Sequence, residues 1–392
     1  MRMLHTSDWH IGRQFHNVSL LDDQRHVLNQ IVELIEARQV DVVLVAGDIY
    51  DRSVPPAQAV ELLDEVLDRI CRQLSVPVIM ISGNHDSPER LGFGSRQLTD
   101  AGLHIVGPLE KMLSPVLLQG KLSTAGAVFY GIPYADPAMV RDRFNVEVSS
   151  HDQAMAFLCE KVREHHQAGV SAHCPCVVLS HCFIDGGESC ESERPLSIGG
   201  ADRVSAEHFK SFAYTALGHL HGRQYKGAES IRYSGSILKY SFSEQNQHKS
   251  VVLVDMDAQG GCEIEQLSLT PLRDMRILEG ELDALLAAGR EDPNREDYLL
   301  VRLSDKHAIL DVMGKLREVY PNVLHLERPG LMADGELQAA RREQLKKGEM
   351  SMFRDFFQQV SGDTLDSEQN EWVEQLLESI HRQDTSANGG AL

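Results

Sequence analysis

Five segments of this chain share one grammar: a short apolar run that ends on polar residues able to bind a metal ion. They are MRMLHTSDWH, which ends on Asp8 and His10; VVLVAGDIYD, on Asp48 and Asp51; VIMISGNHD, on Asn84, His85 and Asp86; VVLSH, on His181; and TALGHLH, on His219 and His221. β-Branched runs this short cannot be helices and suit strands buried on both faces. Helical patterns lie between the first of them. Residues 20–38 place Val27, Ile31, Leu34 and Ile35 on one face, and residues 55–74 place Leu63, Val66, Leu67, Ile70 and Leu74 in register. A further helix is expected over 88–101, opening on a proline. Strand–helix alternation builds βαβ units around a mostly parallel sheet. In such a sheet ligands gather beyond the carboxyl ends of the strands, so distant segments deliver their polar residues to one rim. Gly47, Gly83 and Gly218 stand directly before Asp48, Asn84 and His219, where the backbone must turn sharply as it leaves a strand.

The residue types narrow the chemistry. Two aspartates (Asp8, Asp48), one asparagine (Asn84) and four histidines (His10, His181, His219, His221) form an oxygen-and-nitrogen set without thiolate. Such a set suits Mn, Fe, Zn or Co better than a pure Mg or Ca site. It is too large for one ion and sufficient for two if one carboxylate bridges. Two divalent cations against two carboxylates leave a net charge of about +2 to hold a phosphate, which is the two-metal design for in-line attack on a phosphoester. A single histidine in such a pattern is most often a surface or core residue. Five strand ends carrying ligands together are a poor match to chance. Because the histidines must be neutral to bind metal, acid is expected to weaken binding as pH falls towards the imidazole range.

Composition bounds the rest. The chain has 392 residues with 38 Lys+Arg against 58 Asp+Glu, a net charge of −20. A stand-alone non-specific DNA binder carries a basic patch, and this sequence advertises none. No apolar run approaches the roughly 18–20 residues of a membrane span. The N-terminus opens directly into a strand, so no signal peptide and a cytoplasmic location are expected. The seven cysteines are scattered without a CxxC pair, as in a reducing compartment. The densest group, His173, Cys174, Cys176, His181, Cys182 and Cys190, fits no common zinc spacing. No G-x-x-x-x-G-K-[ST] occurs, so this chain is not expected to hydrolyse ATP.

Strands dominate from residue 110, with one helix near 152–167. A polar loop, residues 184–201, directly follows His181. A second unit begins near Pro271 and reads β-α-β-α-β. The expected organisation is an α/β core over 1–270, a small α+β domain over 271–330, a linker over 331–348, a helical segment over 349–383 and a disordered tail over 384–392. The helical segment carries Phe353, Phe356, Phe357 and Val360 on one stripe and Trp372, Val373, Leu376, Leu377 and Ile380 on another. Two short helices cannot bury such stripes alone and must dock on the body or on a partner.

The set DWH…GDIYD…GNHD…SH…GHLH resembles the calcineurin-like metallophosphoesterase superfamily. HTSDWHIG, GNHDSPERL and SERPLSIGG resemble more closely the SbcD-type nuclease subunits, bacterial counterparts of the Mre nucleases. The resemblance is strong over about 1–270 and weaker beyond. It implies two mixed sheets flanked by helices, followed by a DNA-contacting capping domain. It implies that Asp8, His10 and His221 hold one metal, that Asn84, His181 and His219 hold the other, and that Asp48 bridges. His85 is then no ligand but contacts the phosphate and assists the leaving oxygen. Asp51 stands where several relatives carry histidine, and a supporting role is expected of it; Arg194 is the candidate phosphate contact in the loop. The resemblance further implies two Mn²⁺ ions and double-strand 3′→5′ exonuclease and hairpin-opening endonuclease activities in DNA repair, recombination and replication. It implies a nucleoid-associated complex in which residues 349–383 grip an SbcC-like SMC-type ATPase. On sequence alone the helices near 55–101 are core; the resemblance makes them the interface of a homodimer within a heterotetramer. A small-substrate metallophosphoesterase, such as a cyclic-nucleotide phosphodiesterase or phosphatase, uses the same site, and an inactive scaffold bridging DNA ends to the ATPase is the third reading.

Overall fold

The computed structural model describes residues 1–120, 126–169, 171–193 and 202–329, and further on residues 353–354, 357–358, 364–373 and 375–376. The chain divides into two compact units, Met1–Met275 and Arg276–Leu392. The expected linker 331–348 and tail 384–392 lie outside the described residues, and the expected helical segment 349–383 is described only in part, with helical turns at 353–354, 357–358, 367–373 and 375–376. No helix of the described residues is long and apolar enough to cross a membrane.

The first unit is a sandwich of two six-stranded mixed sheets. In one sheet Arg2–Thr6, Val42–Val45, Val78–Ile81 and Leu103–Val106 run parallel; Ser250–Met256 lies antiparallel beside Arg2–Thr6, and Cys262–Ser268 pairs antiparallel with it at the edge. In the other, Gly126–Ile132, Cys176–His181, Tyr214–Gly218 and Ala228–Tyr233 run parallel, with antiparallel edges Val116–Gln119 and Gln224–Lys226. Alternate strand residues meet between the sheets: Met3, Val42, Leu44, Ile79 and Ile81 from one face Phe129, Val177, Leu179, Tyr214 and Ala216 from the other. The residues between them, such as Val43, Val45, Val178 and Ile132, are buried as fully on the outer faces. That explains the unbroken apolar runs, because a strand covered on both sides has no polar position. Helix His151–Ala168 covers the second sheet with Met155, Leu158, Cys159 and Val162. Helix Leu21–Ala37 buries Val27, Leu28, Ile31, Val32 and Ile35.

Three helices differ from the periodicity. The stretch 88–101 breaks into Pro88–Leu91, Ser95–Leu98 and a 3₁₀ turn at Thr99–Ala101. Gly92 closes the first piece by donating to Pro88 O, and Gly94 adopts a left-handed φ of 71° that no continuing helix contains. The stretch 55–74 is α-helical only over Ala57–Leu67 and continues as a π-helical turn over Asp68–Gln73 that keeps Ile70 buried. Helix Pro137–Phe144 escapes an apolar-stripe reading because its first-turn signal is polar: Asp136 accepts from Ala138 N–H at 2.7 Å and Pro137 takes the first position.

In the second unit Met275–Gly280, Tyr298–Leu303 and Val323–Glu327 form a three-stranded sheet, with helices Leu282–Gly289 and Val312–Arg317 in the connections. Leu282, Leu285, Leu299, Val301, Leu316 and Val323 make its separate core. The second helix is shorter than the apolar pattern over 308–319, because Asp311 caps it by accepting from Gly314 N–H at 3.1 Å.

Phe129 sits at the centre of the sandwich at 1% exposure. Phe129→Ala is expected to lower stability by about 3–5 kcal/mol, read as a shift in urea midpoint of the first unit. A loss below about 1 kcal/mol would contradict the sheet-on-sheet packing.

Candidate metal centre

Each strand that ends at the rim hands over to a loop bearing its polar residues. Arg2–Thr6 leads to Asp8 and His10, Val42–Val45 to Asp48 and Asp51, and Val78–Ile81 to Asn84 and His85. Cys176–His181 ends on His181, and its neighbour Tyr214–Gly218 leads to His219 and His221; Gly218 is in register with His181. Asp8 (φ 52°), His10 (44°), Asp48 (50°) and His219 (106°) all have positive φ. For residues with a Cβ this costs about 1–3 kcal/mol each and persists only where the surroundings impose it. Here Asp8 N–H donates to Gly47 O and His10 N–H to Asp48 O, both at 3.0 Å. Two glycines make the approach possible: a Cβ on Gly83 would strike Asp48 Oδ1, and one on Gly218 would strike Ala46 O.

Asp48 lies at the middle. Its Oδ2 is 3.6 Å from His10 Nε2 and 3.6 Å from His181 Nε2, and its Oδ1 accepts from His85 N–H at 2.9 Å. On one side His10 Nε2 faces His221 Nε2 at 3.1 Å, and Asp8, His10 and His221 bring ligand atoms within 4.8 Å of one another. On the other side Asn84 Oδ1 is 2.9 Å from His181 Nε2 and 3.3 Å from His219 Nδ1, and Asp8, Asp48 and His181 make a second convergent group. Apart from half-buried Asn84, the seven candidate ligands are at most 4% exposed.

The donor set fits divalent metal ions. His181 Nδ1–H donates to Ala46 O at 2.9 Å, so the neutral ring leaves Nε2 bare, and that lone pair faces the Asn84 oxygen. His10 and His221 turn Nε2 on Nε2. A cation between these facing nitrogens, and beside the Asn84 oxygen, would be held by all of them. Asn84 Nδ2 has no hydrogen-bond partner among the described residues, as expected of an amide held for its oxygen.

Burial sets the charge states. It pushes His10 and His219 well below the ordinary imidazole pKa, helped by like-charged neighbouring histidines, and it lowers His181 and His221 as well. The short His–Asp48 contacts therefore join neutral rings to a carboxylate and are not ion pairs. Burial and the Asp48 charge raise Asp8 well above the carboxylate range. The acid limit set by these imidazoles thus lies below the ordinary value that the residue types alone suggest, and Asp8 is the group that must lose a proton when metal enters.

Around this set lie further polar residues, among them Ser7, Glu244 and Lys249, which the sequence pattern did not single out. Asp86 accepts from the N–H groups of Ile49, Tyr50 and Gly83 at 2.9–3.1 Å, which fastens the second loop to the third; burial beside Asp48 pushes its pKa up to about 7. Ser7 Oγ donates to Asp8 Oδ2 at 2.5 Å. Glu244 is fully buried and accepts from Lys249 Nζ at 2.6 Å, while Lys249 also donates to His221 O at 2.9 Å. The Lys249 ammonium holds Glu244 far below the carboxylate range despite burial. In the sequence this acid and base sit in a polar stretch, SEQNQHKS, that reads as surface. His85 is half-buried; its Nδ1–H donates to Asp51 O at 2.7 Å, and its ring stands edge-on to His10 with centroids 4.7 Å apart. The Asp51 carboxylate accepts from Arg13 at 3.1 Å and lies 3.8 Å from His10 Nδ1. Arg194 lies outside the described residues. Of the cysteine-rich group, Cys176 and Cys182 are buried and Cys174 and Cys190 are partly buried, all as free thiols.

This fold and site are those of a metallophosphoesterase, and residues 1–222 match the calcineurin-like phosphoesterase family. Residues 271–361 match a second family, described as the type 5 capsule protein repressor C-terminal domain. The chain is 32% identical over 381 residues to the SbcD subunit of the nuclease SbcCD from Staphylococcus epidermidis, covering 97% of this chain and 99% of that one. It is 32% identical over 386 residues to the SbcD subunit from Staphylococcus saprophyticus, covering 97% and 98%. The chain belongs to the SbcD family of nuclease subunits.

Two outcomes follow. Metal binding displaces a proton from Asp8, whose pKa burial raises, so Mn²⁺ affinity is expected to rise with pH and protons to be released on binding. Calorimetric titration in buffers of different ionisation enthalpy reads both, and an affinity independent of pH contradicts the assignment. Lys249→Met leaves Glu244 buried without its cation and is expected to cost about 3–5 kcal/mol, read by urea denaturation without metal; an unchanged midpoint contradicts the pairing.

Proposed function

We propose that this chain is the nuclease component of an SbcCD-like complex and hydrolyses DNA phosphodiester bonds with two Mn²⁺ ions. The observation that carries the reading is the convergence of seven ligands from five strand ends around the Asp48 carboxylate. Asp8, His10 and His221 are read as holding one ion and Asn84, His181 and His219 the other, with Asp48 shared. The ions would supply positive charge for the phosphate and lower the pKa of an attacking water. The neutral buried histidines and the carboxylate at the centre support that ligand set.

His85 is assigned to the substrate. Its Nδ1–H is tied to Asp51 O, which leaves Nε2 free; as an imidazolium with a second proton there, His85 would donate to the phosphate and pass that proton to the departing oxygen. Asp51 acts by orienting His85 through its carbonyl and Arg13 through its carboxylate. Arg194 remains the candidate phosphate contact in the loop after His181. The expected activities are 3′→5′ exonuclease on double-stranded ends and endonuclease on hairpins, in DNA repair, recombination and replication. Residues 271–330 are read as the capping domain and residues 349–383 as the grip on the SbcC-type ATPase, with a homodimer at the centre of a cytoplasmic, nucleoid-associated heterotetramer. The net charge of −20 supports a design in which the partner and the metal ions supply much of the attraction for DNA.

A small-substrate phosphodiesterase would need neither the second unit nor the tail, and the similarity to the SbcD relatives across 97% of the chain favours the nuclease. The test is Mn²⁺-dependent cleavage of an end-labelled DNA hairpin, with and without the ATPase partner, beside bis-p-nitrophenyl phosphate and cAMP. Asp48→Asn and His85→Leu are each expected to lower DNA cleavage by at least about 100-fold with unchanged melting in the absence of metal. Turnover of the small diesters without hairpin cleavage even with partner contradicts the nuclease reading. Wild-type cleavage by both variants contradicts the site.

A further inference from the structure

The loop that follows Phe183–Ile184 reaches back to the metal centre at its last described residues. Ser192 Oγ lies 2.7 Å from His221 Nδ1 and 2.6 Å from Glu244 Oε1. The next residue holds the same histidine by its backbone: Glu193 Oε1 accepts from His221 N–H at 2.6 Å, and Oε2 accepts from Cys190 N–H at 2.9 Å. Ser192 O accepts from Arg13 at 3.2 Å, and Arg13 also donates to Asp51. Neighbouring loop residues are thus bonded to the ring and backbone of one candidate ligand and, through Arg13, to the residue that orients His85.

The direction of these bonds follows from valence. For His221 to offer Nε2 to a metal, its single proton must sit on Nδ1. Ser192 Oγ accepts that proton's bond, and the hydroxyl passes its own hydrogen to Glu244, a carboxylate that can only accept. Glu244 is kept in that state by buried Lys249, which also bonds to His221 O. Without the hydroxyl, Glu244 Oε1 stands 3.7 Å from His221 Nδ1, too far for a hydrogen bond.

We propose that Ser192 and Glu193 are positioning residues for His221, and that through them the loop at 188–193 and the filling of the metal centre are coupled. The inference rests on His221 being a metal ligand, as in the function proposed above. Filling the site fixes the His221 ring and tautomer, and the ring in turn holds Ser192 and its loop.

The test uses the full-length chain, its Ser192→Ala and Ser192→Thr variants, and Mn²⁺ as probe. Calorimetric titration counts the ions and their affinities, and hydrogen exchange follows the amides of 188–193 with and without Mn²⁺. In the wild type two ions bind and the loop amides slow. Ser192→Ala is expected to bind one ion about 10–100-fold more weakly with the other unchanged, to lose the Mn²⁺-dependent protection of the loop, and to keep its metal-free melting temperature. Ser192→Thr, which keeps the hydroxyl, recovers most of both effects. Two ions bound by Ser192→Ala with wild-type affinity and loop protection overturn the coupling and leave the metal centre standing. Equal losses in Ser192→Ala and Ser192→Thr overturn the role of the hydroxyl. A wild type that binds no Mn²⁺ overturns the metal reading itself.

Discussion

Asp48 is a carboxylate at 2% exposure with a neutral imidazole on either side, and the rim of the sandwich is arranged around it. Its backbone has φ 50°, its carbonyl accepts from His10 N–H, and its Oδ1 takes the N–H of His85. One residue thus fixes the first loop, the third loop and the approach of His181. Gly83 lacks a side chain because Asp48 occupies the space, and Asp86 binds the loops on both sides of it through three N–H groups. The two stacked sheets supply the rigidity. A left-handed backbone at four rim positions, Asp8, His10, Asp48 and His219, would relax if it were not held by fully buried strands.

The electrostatics point the same way. Burial drives the four histidines towards the neutral form and Asp8 towards the protonated form. Without cations the site therefore sheds charge of both signs and leaves the His181 Nε2 lone pair facing the Asn84 oxygen. A divalent ion would reconcile that pair. The buried Glu244–Lys249 pair stands apart from this: it is charged, fully hydrogen-bonded and placed behind His221, where it can orient a ligand without competing for the metal.

Much of this was legible in the sequence because strands buried on both faces announce themselves. VVLV and VIMI could only be such strands, and the polar residues beyond them had to meet at one rim. The structure brings Asp8, His10, Asp48, Asn84, His181, His219 and His221 into mutual reach as that reasoning requires. What escaped was long-range polar contact. Glu244 and Lys249 look like surface residues in a run of polar neighbours, and only the folded chain reveals that they are buried against His221, more than twenty residues away. Ser192 and Glu193 escaped for the same reason, and helix Pro137–Phe144 escaped because its signal is a cap and not a stripe. The helix expected over 88–101 rested on its opening proline alone, and Gly92 closes its first turn while Gly94 adopts a left-handed φ.

The most direct measurement is anomalous X-ray scattering from Mn²⁺-loaded crystals of the protein. Two peaks on either side of Asp48 are expected, one among Asp8, His10 and His221 and one among Asn84, His181 and His219. A single peak, or peaks that do not touch Asp48, would contradict a centre built on a shared carboxylate.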